Sequence, residues 1–141
     1  MTLKKWYFLH AQRINILKVL GKANLLPNQS LGFSCQVNAA FWMFLPEEKT
    51  WKFILASPLV KKEGPIKYYK RIIDASKDAG TDENIISLND ISVLDLNNQL
   101  IQLLKFAIST GDSISNIRFS KNTINGVFVD DTHIYRMKVN T

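Results

Sequence analysis

The chain has 141 residues, of which 46% are apolar and 21% are charged, so its composition is that of an ordinary globular domain rather than of a disordered segment. Its single cysteine, Cys35, excludes an internal disulfide and a cysteine-based metal cluster within one chain. The formal net charge of +6 and the sequence pI of about 9.5 favour contact with an anionic partner.

The N-terminal segment predicts an amphipathic helix over residues 3–20, with Gly21 at its end. Lys4 and Lys5 precede an apolar stretch, as in a secretion signal, but that stretch ends at Leu9 and is too short for one. No window of the sequence approaches the roughly 18 apolar residues of a membrane-spanning helix. We therefore expect a cytoplasmic protein without a membrane partner.

An apolar segment and the turn that follows it predict a β-hairpin. Every residue from Ala39 to Leu45 is apolar, which is typical of a central strand that is covered on both faces. The sequence PEEKT then predicts a turn, and the returning strand places Trp51, Phe53 and Leu55 on one face. Pro58 ends this strand, because proline has no N–H to donate to a neighbouring strand.

A second amphipathic helix is predicted to begin at Pro65 and to end near Gly80. Its apolar side is predicted to consist of Ile66, Tyr69 and Ile73, with Ile72 as a further candidate. Five basic residues, two in the preceding loop and three on the outer side of the helix, form a candidate phosphate-binding patch. They are Lys61, Lys62, Lys67, Lys70 and Arg71. The alternative interpretation is that these side chains only form the solvated face of the helix.

The pattern of residues 85–96 predicts a strand whose alternation changes phase at Asn89–Asp90, which a bulge or a tight bend would explain. A third helix is predicted over residues 97–111, capped by Asp95 or an asparagine and ended by Gly111. Few polar residues interrupt this helix, so we expect most of its surface to be buried.

The last segment, residues 115–139, predicts a meander of short antiparallel strands. Asn125–Gly126 and Asp130–Asp131 are equally good positions for a hairpin turn within it. The predicted elements together indicate a single α+β domain over residues 1–141, with a mainly antiparallel sheet of five or six strands and about three helices.

The sequence contains no catalytic signature. His10 and His133 lie in different predicted elements without metal-ligand spacing, and there is no HExxH motif, glycine-rich phosphate loop or GxSxG elbow. Cys35 lies in an apolar segment, where a small buried residue is expected rather than a nucleophile. We therefore expect no cofactor and lean towards a protein that is not an enzyme.

Four aspartates near predicted strand ends are the remaining candidates for metal-dependent chemistry: Asp90, Asp95, Asp130 and Asp131. Oxygen ligands that converge from strand ends could hold Mg²⁺ for phosphodiester hydrolysis, as in a nuclease. Helix-capping and turn-forming roles are the alternative explanation for these residues, and on that interpretation there is no metal site.

The distribution of charge makes nucleic acid a candidate partner. Residues 1–46 carry five basic residues and no acidic one, whereas residues 78–116 carry one basic residue and six acidic ones. Such asymmetry favours sequence-nonspecific contact with phosphates. However, Arg136 and Lys138 share a strand face from which Tyr135 points away. The mixture of basic and aromatic side chains on one face that base stacking needs is therefore absent.

The apolar segments favour a protein-binding function. Both the strand Ala39–Leu45 and the helix around residues 99–110 need cover on two sides, and an uncovered face would contact a partner protein or a second copy. We therefore predict a small non-enzymatic binding or accessory protein, with nucleic-acid binding and metal-dependent phosphodiester hydrolysis as alternatives. A ligand pocket beneath Trp42, Phe44 and Trp51 is a further alternative to a structural role for these rings.

Overall fold

The structure is a computed structural model that describes residues 36–78, 88–111 and 114–139. The predicted N-terminal helix, His10, Cys35 and the predicted helix end at Gly80 lie outside the described residues. The described strands are β1 (Ala39–Leu45), β2 (Thr50–Ala56), β3 (Ile91–Leu94), β4 (Ile117–Phe119), β5 (Asn122–Ile124), β6 (Val127–Val129) and β7 (Thr132–Met137). The described helices are α1 (Pro58–Glu63), α2 (Pro65–Asp78) and α3 (Gln99–Ala107).

The predicted hairpin forms the centre of the main sheet. β1 and β2 are antiparallel, with Ala39 opposite Ala56 and Leu45 opposite Thr50. The turn between them includes Lys49, whose φ of 53° lies in the left-handed region. β1 also pairs with β7 on its other side, so the apolar segment is a central strand, as its sequence predicts.

The α+β class is confirmed, and the described strands form two sheets. The main sheet has the order β3-β2-β1-β7-β4, in which β3 is parallel to β2 and the other neighbouring strands are antiparallel. β5 and β6 form a separate two-stranded hairpin. The main sheet is therefore mixed, because the chain crosses over through α1 and α2 between β2 and β3.

The two faces of β1 contact different parts of the fold. Ala40 and Trp42 lie in a core with Val60 of α1 and with Tyr68 and Ile72 of α2. On the other face, the alternate residues of β1 lie in a second core with side chains of α3, β5 and β6. No residue from Ala39 to Met43 is more than 4% exposed, so both faces of this part of β1 are covered, as its sequence predicts, and neither face is open to a partner protein.

The segment after Ser57, predicted as a loop, is the short helix α1. The Ser57 Oγ accepts a hydrogen bond of 3.1 Å from the backbone N–H of Leu59, and Pro58 occupies the first helical position. Gly64 ends α1 with a φ of 93°, a conformation that favours glycine, and α2 begins at the next residue. Lys61 and Lys62 therefore lie in the last turn of a helix.

The buried side of α2 differs from the predicted one. Tyr68 and Ile72 are fully buried, whereas Ile66 is 84% exposed. Tyr69 is half-buried, and its hydroxyl donates a hydrogen bond of 2.9 Å to the carbonyl of Ile91 in β3. The helix is thus rotated relative to the prediction, and its apolar side is centred on residues 68 and 72.

The change of phase before β3 is a 3₁₀ turn, Leu88–Asp90, and not a bulge within a strand. α3 follows β3, and the Asn98 Oδ1 caps it by accepting a hydrogen bond of 2.9 Å from the backbone N–H of Leu100. The helix ends at Ala107, because Ile108 is extended with a φ of −137°; Gly111 is therefore not its end.

Turns occur at both positions predicted in the C-terminal segment. Asn125 and Gly126 join β5 to β6 with φ values of 49° and 81°, the left-handed pair found in two-residue hairpin turns. The Asp130–Asp131 segment then connects β6 to β7.

Candidate functional site

Four of the five predicted basic residues lie on the surface of the α1–α2 pair. Lys61 and Lys62 are exposed at the end of α1, and Lys67 and Lys70 are exposed on the first half of α2. Within the described residues, none of these four lysines forms an ion pair. Their positive charges are therefore available to a ligand or partner.

Arg71, the fifth residue, has a different environment. Its Nε and Nη2 donate hydrogen bonds of 2.8 and 2.5 Å to the two carboxylate oxygens of Glu63. Only about a fifth of each side chain is exposed, 20% for Arg71 and 23% for Glu63. The bond from Arg71 lowers the pKa of the Glu63 carboxyl, with smaller contributions from the charges of Lys67 and Lys62. Arg71 thus joins α1 to α2, and its charge is balanced by Glu63 rather than offered to a partner.

A groove lies beside α1, at the carboxyl ends of the parallel strands β2 and β3. Its volume is about 550 Å³. It is lined by Pro58, Lys61 and Lys62 of α1, by Asp95, Leu96 and Asn97 after β3, by Gln102 of α3 and by Val139. We refer to these residues as the strand-end groove.

Backbone hydrogen bonds hold the walls of the strand-end groove together. The N–H of Ser57, at the start of α1, donates to the carbonyl of Leu94 at 3.2 Å and so joins the ends of β2 and β3. The loop after β3 is closed by a bond of 3.0 Å from the Asn98 N–H to the Asp95 carbonyl. The side chain of Gln102 donates to the Leu96 carbonyl at 2.7 Å, which fixes the loop against α3.

The four candidate aspartates do not converge. Asp90 and Asp95 flank β3, whereas Asp130 and Asp131 precede β7, which lies three strand positions away, or about 14 Å at the usual strand spacing. Among the described residues there is no group of three or more His, Cys, Asp or Glu side chains that could hold a metal ion.

Three of these aspartates have local hydrogen bonds. The Asp130 carboxylate accepts a bond of 2.7 Å from the N–H of Asp131, and the Asp131 carboxylate accepts one from the Ser120 hydroxyl. Among the described residues, the only hydrogen bond to the Asp95 carboxylate is a long one of 3.4 Å from the N–H of Asn97, and Asn98 is the residue that caps α3. The turn-forming interpretation thus fits Asp130 and Asp131, whereas Asp95 lines the strand-end groove.

The aromatic residues at one end of the main sheet pack against each other. Trp42 and Trp51 are stacked with ring centroids 5.7 Å apart, and Phe44 meets Trp51 edge-on at 5.4 Å. The cavity beside them, which His133 also lines, has a volume of about 40 Å³. Such a volume is far below the several hundred Å³ of a small-molecule site, so these rings contribute to the core.

Three exposed apolar residues belong to α3 and to the β5–β6 hairpin, the elements that pack on the opposite side of the sheet from α1 and α2. Phe106 of α3 is 72% exposed, and Val127 and Phe128 of the β5–β6 hairpin are 51% and 57% exposed. α3 and β5 contact each other, and Ile101 and Leu104 of α3 share a core with the hairpin. We refer to Phe106, Val127 and Phe128 as the α3–hairpin surface.

Sequence reasoning missed the exposure of Phe106. The helix was expected to be largely buried, and only Ile101 and Leu104 are fully covered. The apolar pattern of the helix could have indicated this exposure. When a helix is apolar on nearly every side and only one side packs on the sheet, the apolar residues on its other sides are left exposed.

No protein-family model, curated protein or solved structure matches this chain. None of the helices in the described part of the chain is long and apolar enough to cross a membrane.

Proposed function

We propose that this is a non-enzymatic binding protein that contacts another protein through the α3–hairpin surface. The observation that carries the proposal is the exposure of Phe106, Val127 and Phe128, each more than half accessible. Aromatic side chains are enriched at the energetically important positions of protein interfaces. A reducing, cytoplasmic location is part of the proposal, since the chain has one cysteine.

The charge around this surface indicates the kind of partner. Neither α3 nor the segment 121–129 contains an acidic residue, while Lys105 and Lys121 each contribute a positive charge. A symmetric contact with a second copy would bring these like charges together, in a chain whose net charge is already +6. A protein with an apolar pocket surrounded by acidic residues fits the surface better.

The test compares three forms of the purified protein as bait for cell extract. Phe106→Ser/Phe128→Ser removes the two exposed aromatic rings, whereas Ile66→Ser is the control, because Ile66 is 84% exposed but lies on α2. We expect one specific protein to bind the wild type and the control but not the double variant. Binding should then be reproduced with the purified partner, with an affinity about tenfold or more lower for the double variant.

Two results would contradict the proposal. A partner that binds the double variant as well as the wild type would exclude the α3–hairpin surface as the contact. A dimer detected by light scattering, and abolished by Phe106→Ser/Phe128→Ser, would assign the surface to a second copy instead.

The four exposed lysines of α1 and α2 favour a second candidate function, sequence-nonspecific binding to nucleic acid. Each phosphate contact should contribute about −0.9 to the slope of log affinity against log salt on duplex DNA, so four contacts predict about −3.6. Arg71 is left out of this set, because replacing it by glutamate would place a second carboxylate beside that of Glu63 and disturb the fold.

Charge reversal tests this second candidate. Lys67→Glu/Lys70→Glu should strongly weaken binding to a fluorescently labelled duplex at low salt, while Lys105→Glu/Lys121→Glu makes the same charge change away from α1 and α2. An equal loss of duplex binding in both variants would indicate that the duplex is attracted by the net charge of the protein alone. Absence of binding by the wild type at low salt would eliminate the candidate.

A further inference from the structure

We propose that the strand-end groove binds a small phosphorylated molecule that also carries hydroxyl groups, such as a sugar phosphate or a mononucleotide. This site does not depend on the protein-binding function, since its residues are separate from Phe106, Val127 and Phe128.

The size of the groove fits this class of ligand. A volume of about 550 Å³ lies within the range of roughly 300–1,000 Å³ that is usual for small-molecule sites. The residues that line the groove come from α1, the loop after β3, α3 and the C-terminal segment, which the fold brings together at one edge of the sheet. In doubly wound α/β sheets, ligands commonly bind outside the carboxyl ends of parallel strands, and the groove has that position relative to β2 and β3, the one parallel pair among the described strands of this mixed sheet.

The charges of the groove indicate a phosphate group. Lys61 and Lys62 are adjacent, exposed and, among the described residues, not ion-paired, so two ammonium groups are available on one wall. A phosphate accepts several charge-assisted hydrogen bonds from such groups. Lys62 is also close enough to Glu63 to influence its carboxyl, but Arg71 binds both oxygens of that carboxylate, which leaves Lys62 able to contact a ligand.

The remaining polar groups indicate hydroxyls on the ligand. Asp95 and Asn97 line the groove, and their side chains offer oxygen acceptors and amide donors. The Asp95 carboxylate would repel a second anionic group but can accept hydrogen bonds from sugar hydroxyls. A molecule with phosphate at one end and hydroxyls at the other matches both sets of groups.

Calorimetry with four probes tests the assignment: inorganic phosphate, ribose 5-phosphate, AMP and adenosine. We expect ribose 5-phosphate and AMP to bind with one-to-one stoichiometry, inorganic phosphate to bind more weakly, and adenosine not to bind. Lys61→Ala/Lys62→Ala should weaken the binding of AMP by about tenfold or more. The matched control Lys67→Ala/Lys70→Ala, which removes the same charge outside the groove, should bind AMP as the wild type does.

Chemical-shift mapping on the wild type gives a second readout that needs no variant. AMP should shift the backbone amides of residues 61–62 and 95–98. Equal loss of AMP binding in the two lysine variants, shifts confined to other parts of the chain, or no binding of any probe at millimolar concentration would each overturn the proposal. Asp95→Asn should strengthen the binding of inorganic phosphate, because it removes a negative charge from the groove; unchanged or weaker phosphate binding would also count against the site.

Discussion

Leu104 and Phe106 are separated by one residue in α3 but differ sharply in burial. Leu104 is fully buried between the helix and the sheet, whereas Phe106 is 72% exposed. Leu104→Ala removes three carbon atoms, at about 0.8 kcal/mol each, and leaves a cavity, so we expect a loss of about 3 kcal/mol in the free energy of unfolding. Phe106→Ala should change it by no more than about 0.5 kcal/mol.

Urea denaturation followed by circular dichroism at 222 nm measures both effects. With an m-value of about 2 kcal/mol/M, Leu104→Ala should lower the denaturation midpoint by about 1.5 M, and Phe106→Ala should leave it nearly unchanged. A similar large shift in both variants would show that Phe106 is covered in the folded protein. The α3–hairpin surface would then lose its most exposed residue, and the proposal of a protein contact there would fail with it.

Three further predictions concern the elements that position the candidate surfaces. Arg71→Met should lower the melting temperature at neutral pH, where Glu63 is ionised. Because Arg71 lowers the pKa of Glu63 in the folded protein, the difference in melting temperature between variant and wild type should shrink as the pH falls through that pKa. A difference that does not depend on pH would contradict a stabilising ion pair. Asn98→Ala should lower the free energy of unfolding by about 1 kcal/mol, because it removes the N-cap of α3. An unchanged unfolding midpoint would show that the cap does not contribute to stability. Gly126→Ala should cost about 1 kcal/mol or more because its φ is 81°, whereas Gly111→Ala, with no neighbour within 4 Å and no positive φ, should be nearly neutral.

The sequence predicted the centre of the fold well because its signals there are local. A strand of seven consecutive apolar residues is expected to be covered on both faces, and Ala39–Met43, its first five residues, lie in two separate cores. Asn125–Gly126 predicted a hairpin turn because both residues tolerate positive φ. The parallel direction of β3 could not be predicted, because an apolar strand of four residues does not indicate which neighbour it will pair with.

The predictions were wrong where the local sequence allows more than one structure or does not show which residues meet in the fold. In α2, Ile66, Tyr69 and Ile73 have helical spacing, and so do Tyr68 and Ile72; contact with α1 and the sheet decides between the two sets. α1 is only six residues long, too short for apolar periodicity, although Ser57 followed by Pro58 is a recognisable helix start. Arg71 was assigned to the basic patch because its partner, Glu63, lies eight residues away in a different helix.

The proposed binding functions predict different responses to the same small set of variants, because the fold distributes the exposed side chains over separate elements. Removing Lys61 and Lys62 should affect both a phosphorylated ligand and nucleic acid, whereas removing Lys67 and Lys70 should affect nucleic acid alone. Neither change should affect a partner that contacts Phe106, since the sheet lies between α2 and α3 and mutational effects at separate sites are generally additive. The two sites are nevertheless linked by α3, because Gln102 lines the groove and lies one turn before Phe106 in the same helix. If a phosphorylated ligand weakened binding of the partner protein, α3 would be the element that couples the two sites. Gln102→Ala would test that coupling, because it breaks the bond to the Leu96 carbonyl but leaves both Lys61 and Phe106 in place.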